Sequence, residues 1–147
     1  VKIMQPPRTS ADFFQILAKS ELLDENRLGD YVCGLDANGL CPEDAVECAQ
    51  MMVFEGLITS FQARLLLQGK WKNFYLANKY KVLEQLGEGG MGQVFLCEHR
   101  MLRRRVAVKI LPPEKAQSEG AVQRFMRETQ AVACLDHPNV VRAHDVG

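Results

Sequence analysis

Net charge is the first thing this sequence lacks: 18 basic residues balance 18 acidic ones over 147 residues. A neutral chain has no general attraction to nucleic acid or to an anionic membrane surface, so neither is expected as a partner. No apolar run approaches the ~18–20 residues of a membrane-spanning helix, and no signal peptide opens the chain. A membrane segment would have to lie in sequence beyond this one, and the expected location is cytoplasmic. Cysteine is present but in no useful pattern. Cys33, Cys41, Cys48, Cys97 and Cys134 are odd in number and none is spaced as CxxC, which argues against a disulfide framework or a zinc site and for reduced thiols. His99, His137 and His144 lack metal-ligand spacing, so no metal site is expected.

The composition that remains, 47% hydrophobic and 24% charged, is that of a globular chain. Its first half reads as four short amphipathic helices. Thr9 and Asp12 open the first, followed by Phe13, Phe14, Ile16 and Leu17. The second follows Asp24, carries Leu28, Tyr31, Val32 and Leu35, and stops at Asn38-Gly39. Pro42 is expected at the first position of the third, with Glu43 and Asp44 suiting its N-terminus. Ala45, Val46, Ala49, Met52 and Val53 form its apolar face, and Gly56 closes it. Thr59 and Gln62 form a capping box for the fourth, with Phe61, Leu65 and Leu66 as its stripe and Gly69 as its end. Such helices predict a small bundle. The segment Lys70–Lys79, with Trp71, Phe74 and Tyr75, reads as a linker whose aromatics pack between two modules.

The second half changes period. Tyr80–Leu86 alternates as a strand and runs into Gly87-Glu88-Gly89-Gly90-Met91-Gly92-Gln93-Val94. GxGxxG alone is a weak signal, and in a dinucleotide-binding fold it would open a helix. Here Val94–Cys97 continues as strand. A basic turn with Arg100, Arg103, Arg104 and Arg105 comes next, and then Arg105–Leu111, containing Val-Ala-Val-Lys109, reads as another strand. Glu114–Leu135 reads as one helix with Val122, Phe125, Met126, Thr129, Val132 and Ala133 on its apolar side and Glu128 within it. Asp136-His-Pro-Asn-Val-Val-Arg142 closes the motif series.

These four motifs, in this order over about 68 residues, resemble the N-lobe of bacterial eukaryotic-like (Hanks-type) serine/threonine protein kinases. The stretch Glu55–Gly69 in turn resembles the helical leader that precedes the kinase domain in some of them. The resemblance implies an α+β chain: an α-helical accessory module with its linker over 1–78, then an incomplete N-lobe over 80–147, an antiparallel sheet with the long αC helix. It implies an ATP site made by Leu86, Gly87, Glu88, Gly89, Gly90, Met91, Gly92, Gln93, Val94, Ala107 and Lys109. The glycines would let backbone approach phosphates, Val94 and Ala107 would cover adenine, and Lys109 would bind the α- and β-phosphates while held by Glu128.

The implied activity is transfer of the ATP γ-phosphate to Ser or Thr hydroxyls of a protein substrate, with Mg2+ in the complete kinase. The HRD-x-x-x-x-N and DFG motifs, which supply the catalytic Asp and the metal ligands, are not in this sequence. No catalytic residue is therefore assigned, and the 147-residue chain is expected to be inactive by itself. The alternative is a non-catalytic interaction protein that uses the helical module. The segment from about Asn139 to Gly147, including Val140 and Val141, is expected to be a poorly protected strand edge.

Overall fold

A computed structural model of the chain describes residues 4–90, 92–140 and 143. The first four helices are α1 (Ser10–Ser20), α2 (Glu25–Asn38), α3 (Ala45–Phe54) and α4 (Ser60–Leu67). Local chemistry fixes most of their ends. Thr9 and Asp12 form a reciprocal capping box at α1, and Thr59 and Gln62 another at α4. The Asp24 carboxylate accepts from the Arg27 amide at 2.8 Å to start α2. Gly39, at φ +64°, ends it in the left-handed region that costs glycine nothing.

The start of α3 differs from the expectation. Pro42 is not the first helical residue; Asp44 is the N-cap, taking the Val46 and Glu47 amides at 2.7 and 3.1 Å. Tertiary pairing overrides the proline signal. Ser10 N–H donates to Glu43 O and Ala45 N–H to Arg8 O, both at 3.0 Å, and Thr9 bridges Asp44. The Ser10 hydroxyl also donates to Pro42 O. Residues 42–44 are thereby held outside the helix, against the head of α1, with Asp44 in extended backbone. The face of α3 rotates accordingly: Ala45, Cys48, Ala49 and Met52 are buried, while Val46 is exposed.

One core joins these helices. Phe13 and Leu17 of α1, Leu28 of α2, Met52 of α3 and Leu66 of α4 meet in it, and Phe74, only 2% exposed, completes it. Phe74 lies in the segment expected to be a linker. That segment is instead shared between helices and sheet: Trp71 and Tyr75 pack against the helical core, while Tyr75–Leu76 is strand β1. Ala77 and Asn78, both at positive φ, turn the chain into β2 (Tyr80–Gly89). Strands β3 (Gly92–His99) and β4 (Arg105–Ile110) complete an antiparallel sheet in the order β1-β2-β3-β4.

Helix α4 docks on this sheet through its own capping box. A bulge between Val82 and Glu84 leaves Leu83 out of the β2–β3 register. The Thr59 hydroxyl donates to the Leu83 carbonyl at 2.6 Å, and the buried Gln62 amide donates to Val82 O at 2.7 Å. Lys81 adds a bond from its ammonium to Leu22 O at 2.8 Å. The Phe61 and Phe95 rings meet edge-on at 6.3 Å.

After β4 the expected single helix is two. A short α5 (Pro113–Ala116) ends at Gln117, and Ser118, with extended backbone, starts α6 (Glu119–Ala133). No residue of α6 is fully buried; Val122, Phe125, Thr129 and Val132 are half-buried, and Met126 is 47% exposed. Asn139 and Val140 lie in a turn, with Val140 N–H donating to His137 O at 3.0 Å. The strand edge expected at Val141, and with it Arg142, His144, Asp145 and the end of the chain, lies outside the described residues.

Candidate nucleotide site

The glycine-rich segment is the tip of the β2–β3 hairpin. Gly87 pairs with Val94, Glu88 with Gln93 and Gly89 with Gly92, leaving a two-residue turn. Gly90 lies in it; Met91 lies outside the described residues. A Cβ built on Gly87, Gly89 or Gly90 would meet nothing within 4 Å. These three bare positions front open space, as a loop that admits a ligand to its backbone must. Gly92 is different. Its φ is +130°, and a Cβ there would lie 2.3 Å from the Ile110 carbonyl. It is required by packing against the end of β4, a role the motif by itself does not disclose.

Cross-strand partners share a face of a sheet, and this sorts the expected residues. Val94 pairs with Lys109 and Leu96 with Ala107, so all four lie on one face. Phe95 pairs with Val108 and Cys97 with Val106 on the other, where Phe95 meets α4 and Cys97 is completely buried. The helices therefore cover the face opposite Lys109. On the Lys109 face Ala107 is exposed and Val94 half-buried. Leu86 falls at a second register shift, between Gln85 and Gly87, and is 54% exposed. A patch of small and branched apolar side chains thus lies bare beside the glycine tip.

Lys109 and Glu128 are brought together from β4 and α6. The Lys109 ammonium lies 2.6 Å from a Glu128 carboxylate oxygen, with the side chains 32% and 46% exposed. At that exposure the pair contributes little to stability, on the order of 0–1 kcal/mol. Its effect is positional: it holds a cation on the open face of the sheet. A second lysine, which the motifs did not flag, also reaches the site. Lys115, on α5, donates from its ammonium to Gly89 O at 3.1 Å and Gly90 O at 3.0 Å. Its place in a connection of no fixed pattern gave the sequence no signal for it.

The basic turn after β3 is used within the fold. The Arg100 guanidinium stacks over the Tyr75 ring at 4.8 Å and donates to Asn78 O, and Arg103 pairs with Glu98 at 3.0 Å. His99 accepts the Leu102 amide at Nδ1 and meets Tyr80 edge-on. Among the described residues no helix is long and apolar enough to cross a membrane.

Residues 80–147 match the family model of the protein kinase domain. The serine/threonine-protein kinase PrkC of Bacillus subtilis is 42% identical over 72 residues, 49% of this chain and 11% of that protein. The serine/threonine-protein kinase pkn2 of Myxococcus xanthus is 42% identical over 72 residues, covering 49% of this chain and 9% of its own length. PknB of Mycobacterium tuberculosis is 41% identical over 73 residues, 50% of this chain and 12% of that one. The chain spans about a tenth of the length of these curated relatives. Among solved structures, the kinase domain of Mycobacterium tuberculosis PknI is 38% identical, covering 47% of this chain and 28% of that one, with a TM-score of 0.38.

Proposed function

Because residues 80–147 belong to the protein kinase domain family, in its bacterial serine/threonine branch, we propose that the β2–β3 glycine hairpin, Lys109 and Glu128 form the ATP-binding portion of a kinase that phosphorylates protein Ser or Thr hydroxyls. The observation that carries this reading is the 2.6 Å contact between Lys109 and Glu128. It presents an ammonium on the same sheet face as Val94 and Ala107 and next to a hairpin tip where Gly87, Gly89 and Gly90 leave the backbone bare.

The residues present fit ATP. Gly87, Gly89 and Gly90 leave room for phosphates against backbone, Leu86, Val94 and Ala107 offer adenine an apolar bed, and Lys109 supplies charge to the α- and β-phosphates. ATP provides the phosphoryl group. Magnesium and the group that orients the substrate hydroxyl would be held by HRD and DFG motifs, which this sequence does not contain, so the 147 residues alone would not complete the reaction. We place the kinase segment at 80–147 and the helical accessory module at 1–78. The boundary is one of sequence origin rather than of packing, since Phe74 belongs to the helical core and Tyr75–Leu76 to the sheet.

In a longer protein that completes the domain, Lys109→Ala removes most turnover and leaves the fold intact. The lost phosphate positioning is worth about 2–4 kcal/mol by analogy with other preorganised electrostatic contacts. Phosphotransfer from labelled ATP is the assay, and unchanged turnover in the variant would remove the assignment.

A further inference from the structure

The tip of the glycine hairpin is almost untethered. Leu86 to Gly90 are all exposed, and the bare Cβ directions of Gly87, Gly89 and Gly90 meet no atom. Among the described residues, and beyond the ladder itself, Gly92 packs against Ile110 at the end of β4, and the Lys115 ammonium of α5 bonds to the carbonyls of Gly89 and Gly90. Two consecutive carbonyls on one cation is a specific arrangement. A trans peptide is planar, with its N–H opposite its C=O. Turning the Gly89 carbonyl toward Lys115 therefore turns the Gly90 N–H away from it.

That orientation bears on phosphate. A backbone loop attracts an anion with its N–H groups and repels it with its carbonyl oxygens. Glycine-rich tips, lacking side chains, flip their peptides easily, and a flipped Gly89–Gly90 peptide would present oxygen where a phosphate needs a donor. We propose that Lys115 is a positioning residue for the nucleotide phosphates: it holds the Gly89 and Gly90 carbonyls on its own side, so that the Gly90 N–H is turned away from it and available to a phosphate. The inference rests on the nucleotide reading above and extends it to a residue outside the glycine, lysine and glutamate set.

The placement of Lys115 adds a consequence. It sits on α5, in the connection that leads directly from β4 into α6. Lys109, before this connection, bonds to Glu128, after it. A movement of α6 that separates Glu128 from Lys109 would pull on α5 and on the hairpin tip as well.

The test uses Lys115→Met, which keeps the length and removes the donor, and Lys115→Arg, which keeps a donor. In the nucleotide-free chain, Lys115→Met is expected to speed amide exchange at the ladder residues Gly92 and Gln93, and Lys115→Arg to restore much of the protection. In titrations, Lys115→Met is expected to weaken ATP by about 3- to 10-fold, the factor by which the competent loop population falls, and to leave adenosine, which has no phosphates, unchanged. Equal exchange in the variants, or equal loss of ATP and adenosine affinity, would overturn the proposal. Failure of the unaltered chain to bind ATP at all would count against the nucleotide reading, and the exchange comparison would still decide the latch.

Discussion

Gly90 and Gly92 stand two positions apart in one motif and do different work, so their substitutions separate binding from folding. A methyl on Gly92 meets Ile110 O and forces a positive φ on alanine. Gly92→Ala is expected to destabilise the sheet by about 1–3 kcal/mol from backbone strain alone, read as a lower urea midpoint. Gly90→Ala meets open space and should change stability by less than about 1 kcal/mol while reducing ATP affinity. Equal midpoints for the two would refute the division. The thiols are a second residue-scale case. Burial pushes Cys48 and Cys97 up to about 11, because a thiolate in an apolar setting loses its hydration. The folded chain should therefore be alkylated at exposed Cys33 and Cys134 at neutral pH. Cys48 and Cys97 should react only in denaturant or as the pH nears that raised value. Peptide mass spectrometry across a pH series reads this directly.

Among the elements, what could be read from sequence is whatever local chemistry dictates. The caps at Thr9, Asp24 and Thr59 and the stop at Gly39 need only neighbours in the chain, and they stand where their residue types place them. The strand–glycine–strand order was legible because the hairpin, too, is local. The misplaced features are those decided at a distance. Pro42 loses the start of α3 to the Arg8–Ser10 backbone, and Phe74 leaves a supposed linker for a core that reaches from Leu66 back to Phe13. The break at Ser118 is marked only by the serine, an N-cap residue type, and by Gly120 two residues on, signals that a continuous helical run also tolerates. The capping box of α4 was visible, but not its second use as an anchor on β2. Thr59→Val removes the bond to Leu83 O and the cap together. The expected cost is about 1–3 kcal/mol, measured by denaturant unfolding, and a cost near zero would show that the bulge carbonyl finds water instead.

At the scale of the whole molecule, the N-terminal helices cover one face of the sheet, while on the other α6 reaches Lys109 through Glu128 and Ala107 stays exposed. The buried core of the helical part draws on residues 13–74, so residues 1–79 are expected to give a helical circular-dichroism spectrum and to melt cooperatively. Their midpoint should be lower than in the full chain, because Gln62 and Thr59 lose Val82 and Leu83. A disordered spectrum would mean that the helices need the sheet. ATP is expected on the face that carries Lys109, Val94 and Ala107, and amide exchange with and without millimolar ATP reads this residue by residue. The account predicts added protection confined to residues 86–94 and to the neighbourhood of Ala107 and Lys109, and its disappearance in Lys109→Met. Protection that falls on the helices, or that persists unchanged in Lys109→Met, would contradict it.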